Sequence, residues 1–137
     1  MSAENVEIVR ELMAVRERAR VSGEPPTRTN LLAPDFEIDM SRRVFNPDVY
    51  RGIDGLARLD DEIRDVWEEL RVVPEQFIDA GDRVVVMEKI GGRGRRSGVE
   101  VETRTYATIW TLRDGQVTRV QVGVDPNEAL KAVGLEE

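Results

Sequence analysis

The side chains of this sequence that could do chemistry converge on one strand. In "ETRTYATIWTLRDGQV", Glu102, Arg104, Tyr106, Thr108 and Trp110 fall on a single parity. Successive side chains of a strand point to opposite faces, so these five share one side of a sheet. Such a row could receive a polar oxygen on an otherwise apolar molecule, with Tyr106 donating a hydrogen bond and Arg104 stabilising charge. Asp39, near the end of the alternating "FEIDM", is the first carboxylate to consider as a base. The 137 residues include neither histidine nor cysteine, which removes the usual general base, disulfides, thiolate chemistry and the commonest metal ligand. Proton transfer must therefore run on carboxylates, Tyr, Lys, Arg or water, and no cofactor or metal is expected.

Elements that would position these groups follow from periodicity. Ile8, Leu12, Val15 and Ala19 recur at helical spacing, widened by Val9 and Met13, until Gly23 and "EPP" end the run. "TRTNLLAPD" suggests a short second helix, and "FEIDM" a strand with Phe36, Ile38 and Met40 on one side. "SRRVFNPDVYRG" has no period and reads as a loop. A third helix is expected from about Asp54, carrying Leu56, Leu59, Ile63, Val66, Trp67 and Leu70, with Asp60, Asp61, Glu62, Asp65, Glu68 and Glu69 as its solvated face.

From Val72 onward the pattern changes to strands. "RVVPEQFIDA", "RVVVMEKI", "VEVETRTYATIWTL" and "VTRVQVGV" are divided by Gly81-Asp82, by "GGRGRRSG" and by Asp114-Gly115, and such short connections make an antiparallel meander. "GGRGRRSG" reads as a flexible solvated turn, since no helix follows its glycines as phosphate binding requires. "DPNEALKAVG" closes the chain as a capped helix, with Asp125 at the cap, Pro126 at the first position and Gly134 as the stop. The expected fold is a single α+β domain over residues 1–137, with a cone-shaped curved antiparallel sheet packed on N-terminal helices and a short C-terminal helix.

Composition bounds the partners. With 27 acidic against 20 basic residues the formal charge is −7, which disfavours nucleic acid, whose binding relies on a net basic face. The amino terminus "MSAENVEIVR" has no charged start followed by an apolar run, and no segment is long enough to span a bilayer. A cytoplasmic protein is the simplest expectation, without nucleic-acid or membrane partners.

In family order, "LLAPDFEIDMS", "VYRGIDGLARL", "FIDAGDRVVV", "SGVEV", "YATIWTLRDGQVTRV" and "DPNEALKAVGL" follow the opening helix from Val6 to Leu135. This series resembles the SnoaL-like branch of the nuclear-transport-factor-2-like superfamily, which also holds ketosteroid isomerases, limonene epoxide hydrolases and polyketide cyclases. The resemblance implies a cone-shaped barrel, a deep apolar pocket and commonly a dimer joined through sheets. It implies no single activity, because the superfamily holds enzymes and non-enzymes on one scaffold.

Carried over by residue, the isomerase base position falls on Met40 and the proline after it on Ser41, so that base is missing. The isomerase's second acid aligns near Tyr106, and the histidine common in SnoaL-like sequences is replaced by Thr108. The epoxide hydrolase pairing of an arginine with two aspartates is not reproduced around Arg104, although Glu102, Glu100, Asp79 and Glu88 offer carboxylates. The resulting expectation is a catalytic set of Asp39, Arg104 and Tyr106, and a substrate-contacting set of Met40, Tyr50, Trp67, Thr108, Trp110 and Gln121. The ligand would be a small apolar or carbonyl-containing, polyketide-like molecule, handled by cofactor-independent isomerase, cyclase or hydratase chemistry. The other reading is a noncatalytic homodimeric module, paired through an outer sheet face with Ala107, Ile109 and Val120.

Overall fold

A computed structural model describes residues 2–22, 29–42 and 48–135. The expected helix stop at Gly23, the "EPP" that follows it and the Asn46-Pro47 part of the loop lie outside the described residues. Helix α1 (Ser2–Ser22) leads through a 3-10 turn (Thr29–Leu31) into β1 (Leu32–Asp39) and β2 (Val49–Arg51). Helix α2 (Gly52–Val66) is followed by β3 (Trp67–Ala80), β4 (Arg83–Gly94), β5 (Glu100–Arg113), β6 (Gln116–Val124) and α3 (Pro126–Ala132).

The six strands form one sheet in the order β2-β1-β6-β5-β4-β3. The meander from β3 to β6 is antiparallel as the turn spacing requires, while β1 joins β6 in parallel. The sheet is therefore mixed. Its curl is built in by register shifts in β3–β4, β4–β5 and β5–β6, since an extra residue on one strand bends the ladder and increases its twist. Gly92 marks the tightest point: a Cβ there would stand 2.1 Å from the Glu69 carbonyl oxygen and 3.1 Å from Leu70 Cα. Only glycine lets β3 approach β4 that closely.

Both faces of the sheet are covered in part. On the concave side, Val9 and Leu12 of α1 and Leu56 and Leu59 of α2 meet Phe36, Val84, Val86, Trp110, Leu112 and Val117 in the main core. On the convex side, Ala129 of α3 closes over Val85, Ala107, Ile109 and Val124. Asp125 caps α3 by accepting from the backbone N–H groups of Asn127 and Glu128, with Pro126 beside it, as the sequence spelled out.

Four local expectations change. In place of the short helix over "TRTNLLAPD", its described residues, from Thr29 on, form a three-residue turn followed by strand, and part of the expected loop pairs with β1 as β2. The helix expected to carry Trp67 and Leu70 ends at Val66. Both residues fit its period, but pairing of Trp67 with Gly94 and Leu70 with Gly92 draws them into β3, since tertiary pairing overrides a weak local propensity. Arg95 fixes this exit. Its Nε donates to the Arg64 carbonyl at 2.7 Å, its guanidinium to the Trp67 carbonyl at 3.1 Å, and its backbone N–H to Val66 at 2.8 Å. The "GGRGRRSG" segment is therefore in part strand and in part a clasp on the end of α2.

Candidate functional site

The curl of the sheet under α1 and α2 leaves a cavity of about 1080 Å³. Its walls are mostly apolar: Phe36 and Ile38 from β1, Leu59 and Ile63 from α2, Leu70 from β3 and Trp110 from β5. Every second residue along this part of β5 contributes, which places Glu102, Arg104, Tyr106, Thr108 and Trp110 on one wall, as their parity required. Arg104 is exposed at the rim, Tyr106 is half-buried, and Thr108 and Trp110 are buried.

At the polar end of this wall stands Glu88, only 4% exposed. It lies opposite Tyr106 in the β4–β5 register, and one carboxyl oxygen accepts the hydroxyl proton of Thr108 in a short hydrogen bond. Burial pushes the Glu88 carboxyl above its ordinary range, against the smaller opposing pull of Thr108 and of the Arg20 charge. Arg20, in the last turn of α1, also lines the cavity and is ion-paired with Glu17. Its buried Nε has no hydrogen-bond partner among the described residues.

Met40, Trp67, Thr108 and Trp110 of the expected contact set line the cavity. Tyr50 does not. It is 1% exposed in the core, donates its hydroxyl to Glu62 at 2.6 Å and carries the Arg58 guanidinium 4.3 Å above its ring, so it ties β2 to α2 instead of contacting a ligand. Gln121 points to the convex side, in a polar groove with Arg83, Arg113 and Arg119.

Asp39 also takes the convex side, the face opposite the cavity-lining Ile38 and Met40. One carboxyl oxygen accepts the Arg119 guanidinium at 2.8 Å and the other the Ser41 backbone N–H at 2.9 Å. Burial alone would raise its pKa, but the hydrogen bonds from Ser41 and the Arg119 charge together hold it below the usual carboxylate range. Asp39 is therefore separated from the Arg104 and Tyr106 row that it was expected to serve. The carboxylate facing that row is Glu88, a charge on the Val84, Val86 and Ile90 parity of an otherwise apolar strand segment. Arg20 carried no comparable signal, because nothing in a helix stripe tells which end closes a distant cavity.

Among the described residues no helix is long and apolar enough to cross a membrane, and no group of three or more His, Cys, Asp or Glu side chains is arranged to hold a metal.

The model of the SnoaL-like domain matches residues 9–120. The chain belongs to the SnoaL-like family. No curated protein matches it. Solved structures similar to this SnoaL-like chain include an NTF2-like protein of unknown function from Burkholderia pseudomallei, at 21% identity over 96% of this chain and 98% of that one, with a TM-score of 0.72. A putative SnoaL-like polyketide cyclase from Jannaschia sp. is 22% identical over 88% of this chain and 84% of its own, with a TM-score of 0.63. TerC, co-crystallised with polyporic acid, is 24% identical over 95% and 97% of the two chains, with a TM-score of 0.67. At these identities the likeness is one of fold.

Proposed function

We propose that this chain binds a small, largely apolar carbonyl compound in the cone cavity and moves a proton on it without a cofactor. The observation that carries this reading is a buried carboxyl, Glu88, the one such carboxyl among the described residues, facing an apolar cavity with a phenol and a hydroxyl beside it. A carboxyl displaced upward by burial is shifted toward the range where proton exchange near neutrality is fastest. Glu88 takes the base role first given to Asp39. Tyr106 donates to the carbonyl oxygen, and Arg104 at the rim favours the charge that develops there. The co-crystallisation of TerC with polyporic acid supports a small organic ligand for this fold.

Proton abstraction beside a carbonyl is read directly by deuterium incorporation. With β-tetralone in heavy water, the protein should accelerate exchange at the activated carbon. Glu88→Gln should lower the rate about a hundredfold or more, the usual contribution of a positioned acid-base group, while ligand binding by thermal shift is retained. Equal exchange rates for parent and variant would remove the catalytic part of the proposal.

The noncatalytic dimeric reading is the alternative, and α3 narrows the surface it could use. Ala107 and Ile109 lie beneath α3, and Val120 lines the cavity, so pairing through this face of the sheet would use the polar groove around Arg113, Arg119 and Gln121 instead of those three residues. Light scattering of the parent and of Arg113→Glu tests it: a dimer that dissociates in the variant supports pairing there.

A further inference from the structure

Two groups on the cavity wall keep a hydrogen-bonding atom unused, and a third side chain accounts for it. Glu88 stands directly opposite Tyr106 in the β4–β5 register, while Thr108 stands opposite Val86. Directly opposed side chains are the nearest neighbours across a strand pair, and diagonal ones lie farther off. By register the phenol is therefore the nearer hydroxyl, yet it is the diagonal Thr108 that donates to Glu88 Oε1.

The other carboxyl oxygen, Oε2, has no hydrogen-bond partner among the described residues, and neither has the Tyr106 hydroxyl. Neither atom is sealed in the wall as the Trp110 indole N–H is, and both residues line the cavity. The donor that holds Oε1 is itself buried, Thr108 being 3% exposed, and its β-branched side chain has few rotamers to leave by. A carboxyl held at one oxygen by such a donor presents the other in a fixed direction.

We infer that Thr108 is the positioning residue of the proton-transfer site: by holding one oxygen of Glu88 it turns the other toward the cavity and leaves the Tyr106 hydroxyl for the ligand. This rests on the reading of Glu88 as the base. In that step Oε2 of ionised Glu88 takes a proton from the carbon beside the ligand carbonyl. The electron pair of the broken C–H bond forms the C=C bond of an enolate, and the carbonyl π pair moves onto the oxygen that accepts from Tyr106. Return of the proton reverses the step. Thr108 makes no bond to the ligand in it and acts through Glu88.

Base work requires the ionised carboxyl, and a donated hydroxyl favours that form against the upward push of burial. The other charged and titratable groups lining the cavity are Arg10, Arg16, Glu17 and Arg20 of α1, Arg42, and Glu102, Arg104 and Tyr106 of β5, whereas α2 and β3 bring none. All of these are the same in every Thr108 variant.

Thr108→Val keeps the shape and removes the donor, and Thr108→Ser keeps the donor and loses the methyl. Both are checked for folding by circular dichroism. With β-tetralone in heavy water, Thr108→Val should exchange about tenfold more slowly than the parent at neutral pH, the weight of one hydrogen bond to a charged group. The rise of its rate with pH should move to higher pH, and Thr108→Ser should recover most of the rate together with the parent profile. A parent profile in Thr108→Val, or a serine variant as slow as the valine one, would overturn the positioning role.

A titration of the Glu88 side-chain carboxyl by carbon NMR, its signal identified by absence from Glu88→Gln, needs no turnover. The carboxyl should titrate at higher pH in Thr108→Val than in the parent and Thr108→Ser, and one midpoint in all three would sink the assignment. Equal exchange in the parent and Glu88→Gln removes the base and with it any part for Thr108 in the reaction. Slow exchange in Glu88→Gln with parent-like exchange in Thr108→Val removes Thr108 alone.

Discussion

Glu88 and Asp39 are carboxylates on opposite faces of one sheet, and they meet opposite fates. Glu88 faces a largely apolar concavity, has a hydroxyl as its hydrogen-bond partner and is pushed upward by burial. Asp39 faces the convex side, is clamped by a guanidinium and a backbone N–H, and is held low. Residue type is nearly the same in the two places. What differs is burial on one side and hydrogen-bond donors with a guanidinium on the other, and this pushes one carboxyl above its ordinary range and holds the other below it.

The concavity itself depends on Gly92, so Gly92→Ala tests the frame in which the two faces differ. A Cβ driven into the backbone of Glu69 and Leu70 should cost about 3 kcal/mol in urea unfolding, and it should weaken ligand binding by opening the curl. A variant of unchanged stability would mean that the β3–β4 approach is looser than the geometry indicates.

The Glu88 side of the contrast has its own pH signature. A carboxyl whose folded pKa lies above its unfolded value keeps its proton longer in the folded state, so stability falls as pH rises from the ordinary value through the folded one. Glu88→Gln removes that loss. The variant should match the parent at acid pH and exceed it by about 1 kcal/mol at mildly alkaline pH, and a constant difference across the range would contradict a displaced Glu88.

On the other face the sign reverses and the size shrinks. Asp39 contributes stability that is present at neutral pH and lost as pH falls through its depressed folded pKa. Asp39→Asn should cost about 0.5 kcal/mol at neutrality, as partly solvated ion pairs do, and the difference should vanish in acid. Ligand binding and deuterium exchange should not change, and their loss would return Asp39 to the site.

Much of the fold was legible because its signals are local. The meander from Val72 to Val124 was written in alternating runs and turn residues, and the Asp125-Pro126 cap announced α3. The exit of α2 was not legible, since Trp67 and Leu70 satisfy a helical period as well as a strand, and only Gly92, Gly94 and Arg95, more than twenty residues away, select the strand.

For the site, the sequence by itself determined parity: Arg104, Tyr106, Thr108 and Trp110 had to share a face, as Glu88 had to share one with Val84 and Val86. Tertiary structure alone decided which parity faces the cavity. In "VVVMEK" both are equally apolar, because α3 buries one side of the sheet while α1 and α2 bury the other, so alternation carries no inside or outside. That choice, made by strand pairing and helix packing across the whole chain, put Glu88 rather than Asp39 beside the phenol and the guanidinium.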